Sequence, residues 1–194
     1  MFFEKAGPVW ETLRNLEHRL REASIDYAVI GGLALNVYTY QRQTVDVDVV
    51  VTKAGYETFR KQWVGAAYKP VTGASRRVVD PNAEVTIDFF IAGELAGRRS
   101  KNPSVRFPDP AEAETHEDLR TVSLPRLLEL KLVTWRFKDW GDVVELIRRN
   151  NLPEDFADKL DPVVRTPYRE CFDQAHDPDY EAPGERVGDN DARS

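Results

Sequence analysis

Cysteine is almost missing from this chain: Cys171 stands alone among 194 residues. That excludes an internal disulfide framework and a metal site built from several thiolates, and it points to a reducing cytoplasm. Histidine is scarce as well. His18, His116 and His176 lie far apart without the spacing of a ligand or base set, so none is assigned a chemical role. Long apolar runs are also lacking. The longest uncharged stretch, Tyr27 to Gln41, contains Asn36 and Thr39 and is too short to cross a bilayer, so no membrane partner is expected. Charge appears by Glu4, unlike a secretory signal. Neither GxGxxG nor GxxxxGK[ST] occurs, which removes a dinucleotide fingerprint and a Walker phosphate loop.

What remains is an ordinary globular composition, 41% hydrophobic and 31% charged. The length suits one well-cored domain, or a core domain carrying a small helical part. The net charge of −6 is concentrated at one end. Asp173, Asp177, Asp179, Glu181, Glu185, Asp189 and Asp191 face only Arg186 and Arg193, which leaves the rest of the chain near neutral. Such a tail repels nucleic acid, while the body is free to approach it.

Periodicity predicts the order of elements. Val9, Leu13, Leu16 and Leu20 mark a helix over 8–24, and Tyr27–Ile30 a short strand. Gly31-Gly32 then leads into a helix, LALNVYTYQ. Residues 45–51, VDVDVVV, alternate as a strand; Ala54 to Val64 is helical; Lys69 to Pro81 has the turn residues of a hairpin. A second strong strand follows at Glu84–Ile91, then a long loop over 92–118 and a short strand at Thr121-Val122. Helices are expected over about 125–137, 139–150 and 154–172. These readings give an α/β (α+β) fold, a small mixed twisted sheet flanked by helices with a helical C-terminal part. The expected division is a core over 1–120, helices over 121–173 and a disordered acidic tail over 174–194.

Chemistry centres on three aspartates. Asp46 and Asp48 are two residues apart in a strand, so they share a face while Val45, Val47 and Val49 point into a core. Neighbouring carboxylates repel each other, and a cation is the natural reason to place them together. The plain alternative is a strand with one wet face, where acidic pairs arise by chance. Asp88 strengthens the cation reading. In VTIDFF it shares a face with Thr86 and Phe90, and an aspartate in so apolar a strand needs a partner. If the two strands are neighbours, three carboxylates converge as a site for Mg²⁺, which prefers hard oxygen ligands. Pairing of Asp88 with a nearby arginine is the competing account. Gly31-Gly32 permits a tight turn and close approach of phosphate, although taken alone the pair is weak evidence and a plain turn is the better account of it.

Strand, Gly31-Gly32, helix, Arg42-x-Thr44-x-Asp46-x-Asp48 and a distant Asp88 together resemble the DNA polymerase β superfamily of nucleotidyltransferases. The stretch IGGLALNVYTYQRQTVDVDVVV is similar to small prokaryotic members. Lys131-Leu132 followed by Arg136-x-Lys138-Asp139-x-x-Asp142 resembles the helical motif of the abortive-infection and toxin-type branch. The resemblance implies a nucleotidyltransferase fold over roughly 25–150. It also implies transfer of a nucleoside monophosphate from an NTP, such as ATP, to a hydroxyl on tRNA, protein or a small molecule, with release of pyrophosphate.

Under it, Asp46, Asp48 and Asp88 would be catalytic and would hold Mg²⁺, as one ion or two, with Mn²⁺ able to substitute; Asp88 would help deprotonate the acceptor. Gly31, Gly32, Arg42, Thr44, Lys131 and Lys138 would contact nucleotide, while Asp139 or Asp142 would keep the helices in register. A toxin of a toxin–antitoxin or phage-defence system, partnered by an antitoxin protein, is the narrower implication. A non-catalytic nucleotide- or partner-binding module is the alternative. Gly32 departs from the serine of many relatives, and no later toxin motif follows Asn150. Trp135 and Trp140 read as packing residues, and Cys171 as a core thiol. Arg76-Arg77, Arg98-Arg99-Ser100-Lys101 and Arg106 form either a solvated surface or an acceptor-RNA surface.

Overall fold

The computed structural model describes residues 6–97 and 104–180. The basic segment 98–101 and the acidic stretch 181–194 lie outside the described residues. A helix α1 (Pro8–Glu22) leads to β1 (Tyr27–Val29), α2 (Gly31–Val37), β2 (Asp46–Val51) and α3 (Lys53–Trp63). The hairpin strands β3 (Lys69–Pro70) and β4 (Arg77–Asp80) precede β5 (Val85–Ile91). Then come β6 (Glu114–His116), β7 (Leu119–Thr121), α4 (Leu124–Leu132), α5 (Phe137–Asn150) and α6 (Pro162–Ala175).

The strands form one seven-stranded sheet in the order β3-β4-β5-β2-β1-β7-β6. It is mixed: β2 runs parallel to β5 and β1 to β7, whereas β1–β2, β3–β4, β4–β5 and β6–β7 are antiparallel. Helices cover both faces, so the α/β architecture is as the periodicity implies.

Alternation sorts the central strands between two cores. Val47, Val49, Val51, Ile87 and Phe89 enter a cluster with Leu13, Leu16 and Leu20 of α1 and Tyr56 and Phe59 of α3. On the opposite face, Val50 and Phe90 meet a cluster supplied by α2, α4, α5 and α6. Both layers exclude water from the valine and isoleucine positions of β2 and β5, whereas Asp46, Asp48, Thr86 and Asp88 stay half-buried and need partners. Val45 departs from the expected alternation. It lies just before β2 and is 81% exposed instead of entering the core.

Several boundaries move for local reasons. Helix α2 starts at Gly31 and stops at Val37, because Thr39 turns to φ 64. The expected helix to 137 ends at Leu132, and Trp135 at φ 57 reverses the chain before α5. The expected helix over 154–172 divides into a 3-10 turn, Glu154–Lys159, and α6. Pro162 disfavours helical geometry at Asp161, which instead caps α6 by accepting from the Val163 N–H. The loop over 92–118 contains β6, paired with β7.

The chain is placed beyond the expected start of the tail at 174. The Tyr180 hydroxyl donates to Glu145 at 3.2 Å, and Arg148 lies 4.8 Å from its ring centre. No helix among the described residues is long and apolar enough to cross a membrane.

Candidate active site

Parallel pairing of β2 with β5 sets Asp46 beside Thr86 and Asp48 beside Asp88. The pleat sends Asp46, Asp48 and Asp88 to the same face as Val50 and Phe90. One oxygen from each carboxylate lies within 4.8 Å of the other two. Acids separated by some forty positions in sequence therefore share one patch.

The surrounding residues explain how three anions are tolerated. Thr44 donates its hydroxyl to Asp46 Oδ1 at 2.8 Å. Asp48 is crowded by protein: burial first, then the charges of Asp46 and Asp88, push its carboxyl up to about 7. Lys131 and Arg136 oppose that shift, so both cations act on the cluster from across the sheet face. Asp88 lies in a two-point pair with Arg77, Nε to Oδ1 at 2.6 Å and Nη2 to Oδ2 at 2.8 Å. Arg77 is raised above its usual value chiefly by Asp88 and also by Asp46 and Asp48. The arginine partner weighed against a cation for Asp88 is thus present, and it stands beside the other two acids.

The glycine pair has a packing reason. Gly31 sits at φ 65, where side chains are strained, and a Cβ there would overlap Asp48 Oδ2. A Cβ on Gly32 would lie 2.7 Å from Thr44 Oγ1. The Ile30 N–H donates to the Asp48 carbonyl at 3.0 Å, tying the turn to β2. The missing side chains leave room for the residues of the carboxylate strand and its approach. Gly31 and Gly32 open α2, so they edge the acidic patch.

Of the remaining expected nucleotide contacts, Lys131 and Arg42 belong to a charge network beside the patch. Lys131 is buried, with Nζ 2.7 Å from Asp142 and 3.2 Å from Asp139. Arg42 pairs with the same Asp142, linking the segment before β2 to α5. Asp139 also accepts from Thr134 and Arg136. Burial alone would raise Asp139, but Lys131, Thr134 and Arg136 outweigh it and hold the carboxyl below its usual range. Lys131 and Arg42 are therefore partly neutralised within the protein. Lys138 is exposed at the start of α5.

Sequence reasoning missed Arg77 as the partner of Asp88. Its signal was the hairpin register: Asp80 opposite Val85 counts back to Arg77 opposite Asp88. Of the other cations suggested as an RNA surface, Arg76 and Arg106 fall among the described residues and are engaged locally. Arg76 pairs with Glu94, and Arg106 donates to the Gly93 carbonyl. Trp135, expected to pack, is 52% exposed, although its ring lies 5.4 Å from that of Trp140. Phe137 is 97% exposed. Cys171 is buried, as a core thiol should be.

The donor set suits a hard divalent cation. Three carboxylates offer only oxygen, and their charges are incompletely compensated. A separate cavity of about 670 Å³, lined by Tyr56, Arg60, Lys61, Pro70, Arg77 and Val78, lies between α3 and the β3–β4 hairpin and includes none of the aspartates.

No protein-family model matches the chain, and no curated protein matches it in sequence. Among solved structures, the chain is similar to the solution structure of the antibiotic-resistance factor ANT(2'')-Ia, at 14% identity over 85% of this chain and 83% of that one, with a TM-score of 0.38.

Proposed function

We propose that this protein is a Mg²⁺-dependent nucleotidyltransferase, moving a nucleoside monophosphate from an NTP to a hydroxyl acceptor. The observation that carries this reading is the meeting of Asp46, Asp48 and Asp88 within 4.8 Å beside a side-chain-free turn. The three carboxylates would hold the metal. When bound, Mg²⁺ supplies neutralisation of the triphosphate and of charge developing on the leaving pyrophosphate. Gly31 and Gly32 let the triphosphate approach the start of α2. Lys131, Arg42 and Arg136, arranged around Asp139 and Asp142, keep the nearby field positive. In the transfer, the acceptor oxygen bonds to the α-phosphorus while the bond to pyrophosphate breaks. The acceptor proton passes toward Asp88. Positioning and charge neutralisation are thus the protein's main contributions.

The exposed Phe137 and Trp135, alternating with Arg136 and Lys138 next to the patch, favour an acceptor with planar bases, such as tRNA. The toxin-type reading, with an antitoxin as partner, rests on the Lys131 to Asp142 helical motif. It predicts growth arrest on expression that Asp46→Ala relieves.

The direct test is incubation with Mg²⁺, α-labelled NTPs and mixed tRNA. Label is expected in the acceptor and absent with Asp46→Ala or Asp48→Ala. Transfer that persists in both variants rules out this chemistry, and Mg²⁺-dependent NTP binding without transfer to any acceptor favours the binding-module alternative.

A further inference from the structure

We infer that Arg77 is a built-in counter-ion that occupies Asp88 in the metal-free protein and competes with the divalent cation for that carboxylate. The inference rests on the metal-binding reading of the acidic patch and adds a residue that sets its affinity. Antiparallel pairing of β4 with β5 places Arg77 directly across from Asp88. The guanidinium meets both carboxylate oxygens, at 2.6 and 2.8 Å, in the fork geometry that fills the best lone pairs of each. An ion held by all three acids needs an oxygen of Asp88, and its double positive charge would stand close to the guanidinium. Both cannot keep their full interactions.

Release of the arginine is inexpensive. Its side chain is 50% exposed, compared with 16% for Asp88, so the arginine half of the pair already meets solvent. A guanidinium that already meets water regains hydration on leaving, which offsets part of the strength of the fork. Open space lies on the other side of Arg77, which forms part of the wall of the cavity between α3 and the β3–β4 hairpin. Arg76, one position earlier, is tied to Glu94 and does not compete for Asp88. Asp88 therefore has two states. In one it is held by Arg77, and in the other it is free to ligate.

The test is calorimetric titration of Mn²⁺, without nucleotide, into wild-type protein, Arg77→Gln, Arg77→Lys and Asp46→Asn. Arg77→Gln is expected to bind Mn²⁺ roughly two- to fivefold more tightly than wild type, the scale of a partly exposed ion pair. Arg77→Lys keeps the charge but loses the fork, so it should fall between them. Should Arg77→Gln not fold by circular dichroism, Arg77→Lys carries the comparison alone. Binding to Arg77→Gln with none detectable in wild type also supports the inference. Equal or weaker binding by Arg77→Gln, with wild type binding and Asp46→Asn not, overturns the role of Arg77 and leaves the metal site standing. No binding by any of the proteins overturns both.

Discussion

Gly31 and Asp48 occupy one space: a Cβ on the glycine would overlap the aspartate's Oδ2. The turn that opens α2 is therefore shaped by the carboxylate strand beneath it. Gly31→Ala adds both this overlap and the strain of φ 65, costing about 1–3 kcal/mol. The expected result is a lower melting temperature together with lost Mg²⁺-dependent nucleotide binding. Gly31→Ala that matches wild type in both measurements would contradict the packing argument.

Asp46→Asn and Asp48→Asn are expected to reduce nucleotidyl transfer by at least about a hundredfold while leaving the circular dichroism spectrum unchanged, because metal-held charge stabilisation is worth several kcal/mol. Initial rates with labelled NTP provide the check.

Metal-free protein should lose stability as pH rises from about 4 to about 7. Burial, with Asp46 and Asp88, places Asp48 near 7 in the fold against 3.8 otherwise. Between those values the native state keeps a proton that the unfolded chain has released, so raising pH favours unfolding, and the effect levels off above the folded value. Melting curves in chelator across this window should slope downward for wild type and flatten for Asp48→Asn.

Lys131→Met should destabilise the protein by about 1–3 kcal/mol, since it removes a buried partner shared by Asp139 and Asp142 and leaves them only Arg136, Thr134 and Arg42. Urea unfolding measures the loss. A second substitution, Asp142→Asn, should recover part of it by removing a buried charge that Arg42 alone then compensates.

Cys171 should resist thiol reagents in the native protein at neutral pH. Burial pushes its thiol up to about 12, so the reactive thiolate is scarce and shielded. Labelling should be fast only in denaturant, and rapid native labelling would show that α6 opens readily.

Much of the fold was legible because hydrophobic period reports directly on which face of an element is buried. Asp46 and Asp48 announced themselves by alternation in β2, and Asp88 by standing as an acid among apolar strand residues. Helix ends were less readable. Trp135 takes a left-handed conformation that its side chain does not advertise, and the single helix expected over 154–172 passed over Pro162, which marks the break before α6.

The sequence by itself determined the local periods, the acidic face of each strand and the turn at Gly31-Gly32, because these depend on neighbours close along the chain. Tertiary structure alone decided that β2 lies parallel to β5, that Arg77 faces Asp88, and that Lys131 and Arg42 share Asp142. Those relationships are set by strand order and helix packing across distant segments. Charge and burial at each carboxylate follow from that assembly, and no local pattern encodes them.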